Sequence, residues 1–140
     1  MPQGTIVPIE RITLQQELEV AGVVGQPDIT ERVRLAGIAI PSLNQKPWGE
    51  SASTQLERLI HQSVLLEPEG TVRDDRGQRS VYVWSNGSLL NEKLVAEGYA
   101  LAVSPVSRSL YQRRLSRAQD RARILGLGIW NPENPMRHEP

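Results

Sequence analysis

Through the first two thirds of the chain, apolar positions recur mainly at every second residue. Ile12, Leu14, Leu18 and Val20 follow this spacing, as do Val33 and Leu35 and, after Gly37, Ile38 and Ile40. A period of two predicts half-buried strands, because successive side chains of a strand point to opposite faces. The GQPDIT stretch between the two runs, residues 25–30, is turn chemistry. From Gly49 the period lengthens. Ala52, Leu56, Leu59 and Ile60 fall at helical spacing, with Glu50, Glu57 and Arg58 on the other face. The Pro47-Trp48-Gly49 turn would launch that helix. The period of two then returns: a strand over SVLLE (residues 63–67), a polar loop PEGTVRDDRGQR, and a strand over SVYVW (residues 80–84) running into Asn86-Gly87. That dipeptide is favoured in two-residue hairpin turns.

The last third is helical. Leu90, Leu94 and Val95 predict a short helix that stops at Gly98. Tyr111, Leu115, Ala118, Ala122 and Leu125 predict a longer one with a single apolar stripe, ended by Gly126 and Gly128. Trp48, Trp84 and Trp130 read as core or helix-packing anchors, since the chain has no phenylalanine to share that role. Strands, a helix, more strands and two closing helices make an α+β order, and a five-stranded OB-type β-barrel with about three packed helices is one solution. The expected organisation is one domain over residues 1–130 and a polar, proline-rich tail over 131–140.

Composition narrows the chemistry. The chain has 140 residues and no cysteine, so disulfides, thiolate metal sites and cysteine nucleophiles are excluded. Its apolar runs fall short of the roughly 20 residues of a membrane span. MPQGTIVPIERI has neither a basic leader nor a continuous apolar stretch. As written, the chain reads as soluble and cytoplasmic, although a leader removed from a precursor would leave the same pattern. Sixteen basic residues balance sixteen acidic ones, whereas a dedicated nucleic-acid binder carries a basic excess. There is no G-x-S-x-G, no phosphate-cradling glycine loop, and no pair of histidines at ligand spacing.

Four segments, VRLAGIAIP, WGESASTQLERLI, DDRGQRSVYVWSNGSLLNEKLVAEGYA and YQRRLSRAQDRARILGLGIW, cover most of residues 32–130. In order and spacing they resemble the staphylococcal-nuclease-like (thermonuclease) family, an OB-fold barrel with three helices. Enzymes of that family cleave DNA and RNA with a bound calcium ion. Such chemistry needs carboxylates for a hard cation, a base to direct water, and cations to neutralise the phosphate.

The resemblance assigns these roles to positions in this chain. The phosphate-contacting arginine of the strand corresponds to Arg34. The metal-binding aspartate corresponds to Ala39, and the glutamate that acts on water corresponds to Ser42. The other metal aspartate corresponds to Gln16, or with a one-residue shift to Glu17. The second arginine corresponds to Gln78, with Arg79 one residue along and therefore on the opposite face of a strand. Only Arg34 is a clear match, with Glu17 and Arg79 as near misses. Losing general-base assistance alone removes about 10²–10⁴ in rate.

Arg113, Arg114, Arg117 and Arg121 fall on one flank of the last helix. They form either a solvated face or, with Arg34, a patch for an acidic protein or nucleic acid. Asp74 and Asp75 read as solvated loop residues, His61 as a cation at the end of the first helix, and His138 as part of the tail. The favoured expectation is a catalytically degenerate member of the family, without metal or cofactor, that binds another protein. The alternatives are a calcium-dependent nuclease with an altered site, recruiting Glu17, Arg34 and Arg79 or Asp74 and Asp75, and a non-cleaving nucleic-acid binder.

Overall fold

The computed structural model describes residues 4–14, 16–21, 30–69, 78–103 and 111–133. In chain order its elements are β1 (Thr5–Ile12), β2 (Leu18–Ala21), β3 (Thr30–Leu35), β4 (Ile38–Ala39), helix α1 (Trp48–Glu57), β5 (Ser63–Pro68), β6 (Arg79–Ser85), β7 (Ser88–Leu89), α2 (Leu90–Ala96), β8 (Leu101–Ala102), α3 (Gln112–Leu125) and a 3-10 turn, Gly128–Trp130. They divide into two compact units. One comprises Met1–Ala36 and Gln55–Leu90, the other Gly37–Thr54 and Asn91–Pro140.

In the first unit the sheet runs β3-β2-β1-β5-β6, and β3 also pairs with β6, so the five strands close into a barrel. That β3–β6 seam is parallel and the other ladders are antiparallel. This is the five-stranded OB-type arrangement, and with the helices it gives the expected α+β class. Alternation decides which side chains go inside: Val7, Ile9, Leu18, Val20, Val33, Leu35, Val64, Leu66, Val81 and Val83 are all buried. Each such side chain contributes about 1.5–3 kcal/mol relative to exposure. Asn86 and Gly87, with φ of 51° and 80°, form the hairpin turn between β6 and β7.

Three features of this unit depart from the sequence reading. Strand β1 begins well before Ile12 and contains Pro8, which pairs with Ser63 of β5 one residue before the β2 register starts at Ile9. Proline is tolerated there because no β2 ladder bond is asked of its nitrogen. Leu14 is 80% exposed, because the chain reverses around it: the Thr13 N–H donates to the Glu17 carbonyl and the Gln16 N–H to the Thr13 carbonyl. His61 lies beyond the end of α1, exposed at φ 70°, and its N–H donates to the Ile9 carbonyl.

The tryptophans are only half-buried; the large aromatic side chain fully buried is Tyr82, whose hydroxyl donates to Glu69. Its hydroxyl finds an acceptor, which a wholly buried tyrosine requires. Trp84 keeps its indole N–H at the surface end, donating to Glu67 at 3.1 Å.

In the second unit β4 and β8 form a two-stranded ribbon, with Ile38 opposite Ala102 and Ala39 opposite Leu101. The Ala102 N–H donates to the Gln119 side chain of α3 at 2.8 Å. Helix α3 buries Leu115, Ala118 and Ala122, as the stripe predicted, but Leu125 is 55% exposed. Gly126, in the left-handed region, turns the chain back, and Ile129 is buried just beyond it. Residues 25–29 of the turn stretch, the 70–77 loop with Asp74 and Asp75, and residues 134–140 of the tail, His138 among them, lie outside the described residues.

Candidate functional site

Strand β3 presents two chemically different faces. Glu31, Val33 and Leu35 share one, and Arg32 and Arg34 share the other, where both arginines are exposed. The β2–β3 register pairs Leu18 with Val33 and Glu19 with Arg32. Extended one residue beyond β2, that register would set Glu17 opposite Arg34, while Ser80 of β6 pairs with Arg34 on its other side. Arg34 and the hydroxyl-bearing Ser80 are thus neighbours at the mean strand spacing of about 4.8 Å.

Glu17 is 3% exposed, and its backbone N–H donates to the Thr13 hydroxyl at 3.1 Å. Gln16, at φ 61° in the tight turn, is 7% exposed, and Gln78, just before β6, is 8% exposed. Both glutamine side chains are withdrawn from solvent.

Arg79 has a different engagement. Its guanidinium donates to both carboxylate oxygens of Glu31, at 3.1 and 3.0 Å, across the parallel seam. Val33 lies opposite Arg79, so Glu31, two residues earlier, is on the same face. This two-pronged pair is mostly covered, with 21% and 14% of the two side chains exposed. The sequence reading missed Glu31. Its place in the period shared with Val33 and Leu35 is the signal that could have found it.

In the second unit, Ala39 occupies a paired strand position and brings only a methyl group. Ser42 is exposed, its carbonyl accepts from the Gln45 N–H, and no histidine or carboxylate hydrogen-bonds its hydroxyl among the described residues. The arginine flank of α3 is split in its engagements. Arg114 donates twice to Glu92 of α2, at 2.7 and 2.9 Å, and lies over the Tyr111 ring. The hydrogen bond to Glu92 raises its pKa above the ordinary arginine value, against a smaller desolvation effect. Arg121 donates to the Ala96 carbonyl at 3.1 Å. Arg113 and Arg117 are exposed and hold no such bond among the described residues. Among the described residues, no three His, Asp or Glu side chains group closely enough to hold a metal ion.

The closed ring, its parallel seam and the arginine on the outer face of β3 define an OB-type barrel protein. The model of the family described as "Staphylococcal nuclease homologue" matches residues 32–132, and the chain belongs to that family. It is similar to the thermonuclease of Staphylococcus hyicus, 33% identical over 129 residues, covering 91% of this chain and 70% of that protein. It is likewise similar to the thermonuclease of Staphylococcus intermedius, 33% identical over 106 residues, with coverages of 71% and 63%. The staphylococcal nuclease domain-containing protein 1 of Drosophila melanogaster is 32% identical over 95 residues, which cover 65% of this chain and 10% of that protein. No helix among the described residues is long and apolar enough to cross a membrane.

Proposed function

We propose that residues 1–130 form a staphylococcal-nuclease-fold binding module that engages another protein and does not hydrolyse phosphodiesters by the calcium-dependent route. The observation that carries this reading is the chemistry at the positions corresponding to the family's site: Ala39 and Ser42 stand where a metal carboxylate and a base would be. Calcium takes about six to eight oxygen ligands, several of them carboxylate. In the first unit Glu17 and Gln16 are buried, and in the second Ala39 offers no oxygen and Ser42 a neutral hydroxyl. Neither unit brings, at these positions, the several carboxylates that calcium takes. Arg79, the stand-in for a second phosphate-binding cation, is held by Glu31.

The relatives named thermonuclease, together with a register that would set Glu17 opposite Arg34, support the competing reading of a nuclease with an altered site. A balanced charge of sixteen basic and sixteen acidic residues argues against the third, a nucleic-acid binder. Calorimetric titration of the protein with calcium tests the reading at its root. No saturable heat at millimolar calcium is the expected result. Stoichiometric binding weakened by Glu17→Gln would overturn it. A parallel titration with single-stranded DNA separates the third reading, which requires binding that weakens steeply with salt and with loss of Arg113 and Arg117.

A further inference from the structure

On α3 the two untethered arginines share a face with an exposed isoleucine. Taking about 100° per residue, Arg113, Arg117 and Ile124 lie within about 40° of one another around the helix. Ile124 is 83% exposed, and Leu125 beside it is 55% exposed. Glu92 and the Ala96 carbonyl hold Arg114 and Arg121, whereas Arg113 and Arg117 are exposed and bonded to none of the described residues. Asp120, also exposed, interrupts the strip between Arg117 and Ile124.

We infer that this strip is a docking surface for an acidic amphipathic polypeptide segment. The inference rests on the binding-module reading and gives its partner a chemistry. The strip asks for two carboxylates about 6 Å apart, one helical turn, and then an apolar side chain about 10 Å further on. Charge complementarity of this kind fixes register and rejects wrong partners. Asp120 selects against a uniform polyanion: a nucleic-acid strand would set phosphates against Asp120 as well as against the arginines, and no aromatic side chain on the strip is available to stack a base. A polypeptide can leave the position opposite Asp120 uncharged or basic.

The test uses the full chain and a labelled synthetic helical peptide bearing two glutamates one turn apart and a leucine seven residues beyond, followed by fluorescence anisotropy at low salt. Saturable binding is expected, weakened about tenfold or more by the double substitution Arg113→Glu with Arg117→Glu and several-fold by Ile124→Ala. Arg58→Glu, in the other unit, should leave it unchanged. All these side chains are exposed, and circular dichroism of each variant checks that the helices persist. The inference fails if the peptide does not bind, if the double variant binds it as well as the parent, or if a single-stranded oligonucleotide replaces it with the same arginine dependence. Calcium-dependent cleavage of that oligonucleotide would instead overturn the non-cleaving reading, leaving the peptide result to stand on its own.

Discussion

Arg79 and Glu31 meet from strands 48 residues apart in sequence, and their two-pronged contact crosses the parallel seam that closes the barrel. Removing Arg79 takes both of these hydrogen bonds from a mostly covered carboxylate. Arg79→Ala should therefore cost about 1–3 kcal/mol in urea unfolding. Arg79→Lys should recover only part of that, because an ammonium cannot reproduce the planar fork. Equal stability of all three proteins would show that the pair is incidental. Gly98 makes a second residue-level case. It sits at φ 83°, and a β-carbon there would lie 2.3 Å from the Leu127 carbonyl oxygen. Gly98→Ala combines left-handed strain with that clash, and a loss of about 2 kcal/mol or more is expected. At this scale the sequence was partly legible: the Gly98 stop was readable, whereas the Arg79–Glu31 contact depends on a strand pairing that no local pattern displays.

Among the elements, α3 shows where periodicity reads correctly and where it overreaches. The stripe holds through Leu115, Ala118 and Ala122, but Leu125, the last residue of the helix, is 55% exposed, and burial resumes at Ile129 beyond the left-handed Gly126. Leu115→Ala should accordingly cost about 2–5 kcal/mol, whereas Leu125→Ala should stay within about 0.5 kcal/mol of the parent. Thermal or urea unfolding of the two variants checks the contrast, and equal losses would contradict it. The Arg114–Glu92 pair ties α3 to α2 at an exposed site, with 44% and 30% of the side chains accessible, so it contributes only about 0.2–1 kcal/mol. Its pH behaviour follows from the raised arginine pKa. A group whose folded pKa is raised contributes fully below its unfolded value and loses that contribution only as pH rises through the folded one. Stability arising from this group should thus be flat across roughly pH 5–9. Strand β8 escaped the sequence reading, since a two-residue strand carries no measurable alternation, whereas its partner β4 falls within the alternation read from Ile38 and Ile40.

For the molecule as a whole, the fold rests on residues other than those of the candidate site. The barrel depends on about ten alternating apolar side chains and its turns, and Ala39, Ser42 and Gln78 are not among them. That separation explains why the fold was readable from periods and turn residues, while the candidate site was suggested only through resemblance: an alanine or a serine carries no chemical signal of a site by itself. The burial of Glu17 and Gln16 was hidden for a related reason, because a tight turn sets it and adjacent residues in sequence do not reveal depth. The central claim is that this chain keeps the barrel without calcium-dependent hydrolysis. The most direct measurement is the cleavage of single-stranded DNA by the purified protein with calcium present or chelated. The account predicts intact substrate in both conditions; calcium-dependent fragmentation that is lost in the Arg34→Ala variant would contradict it.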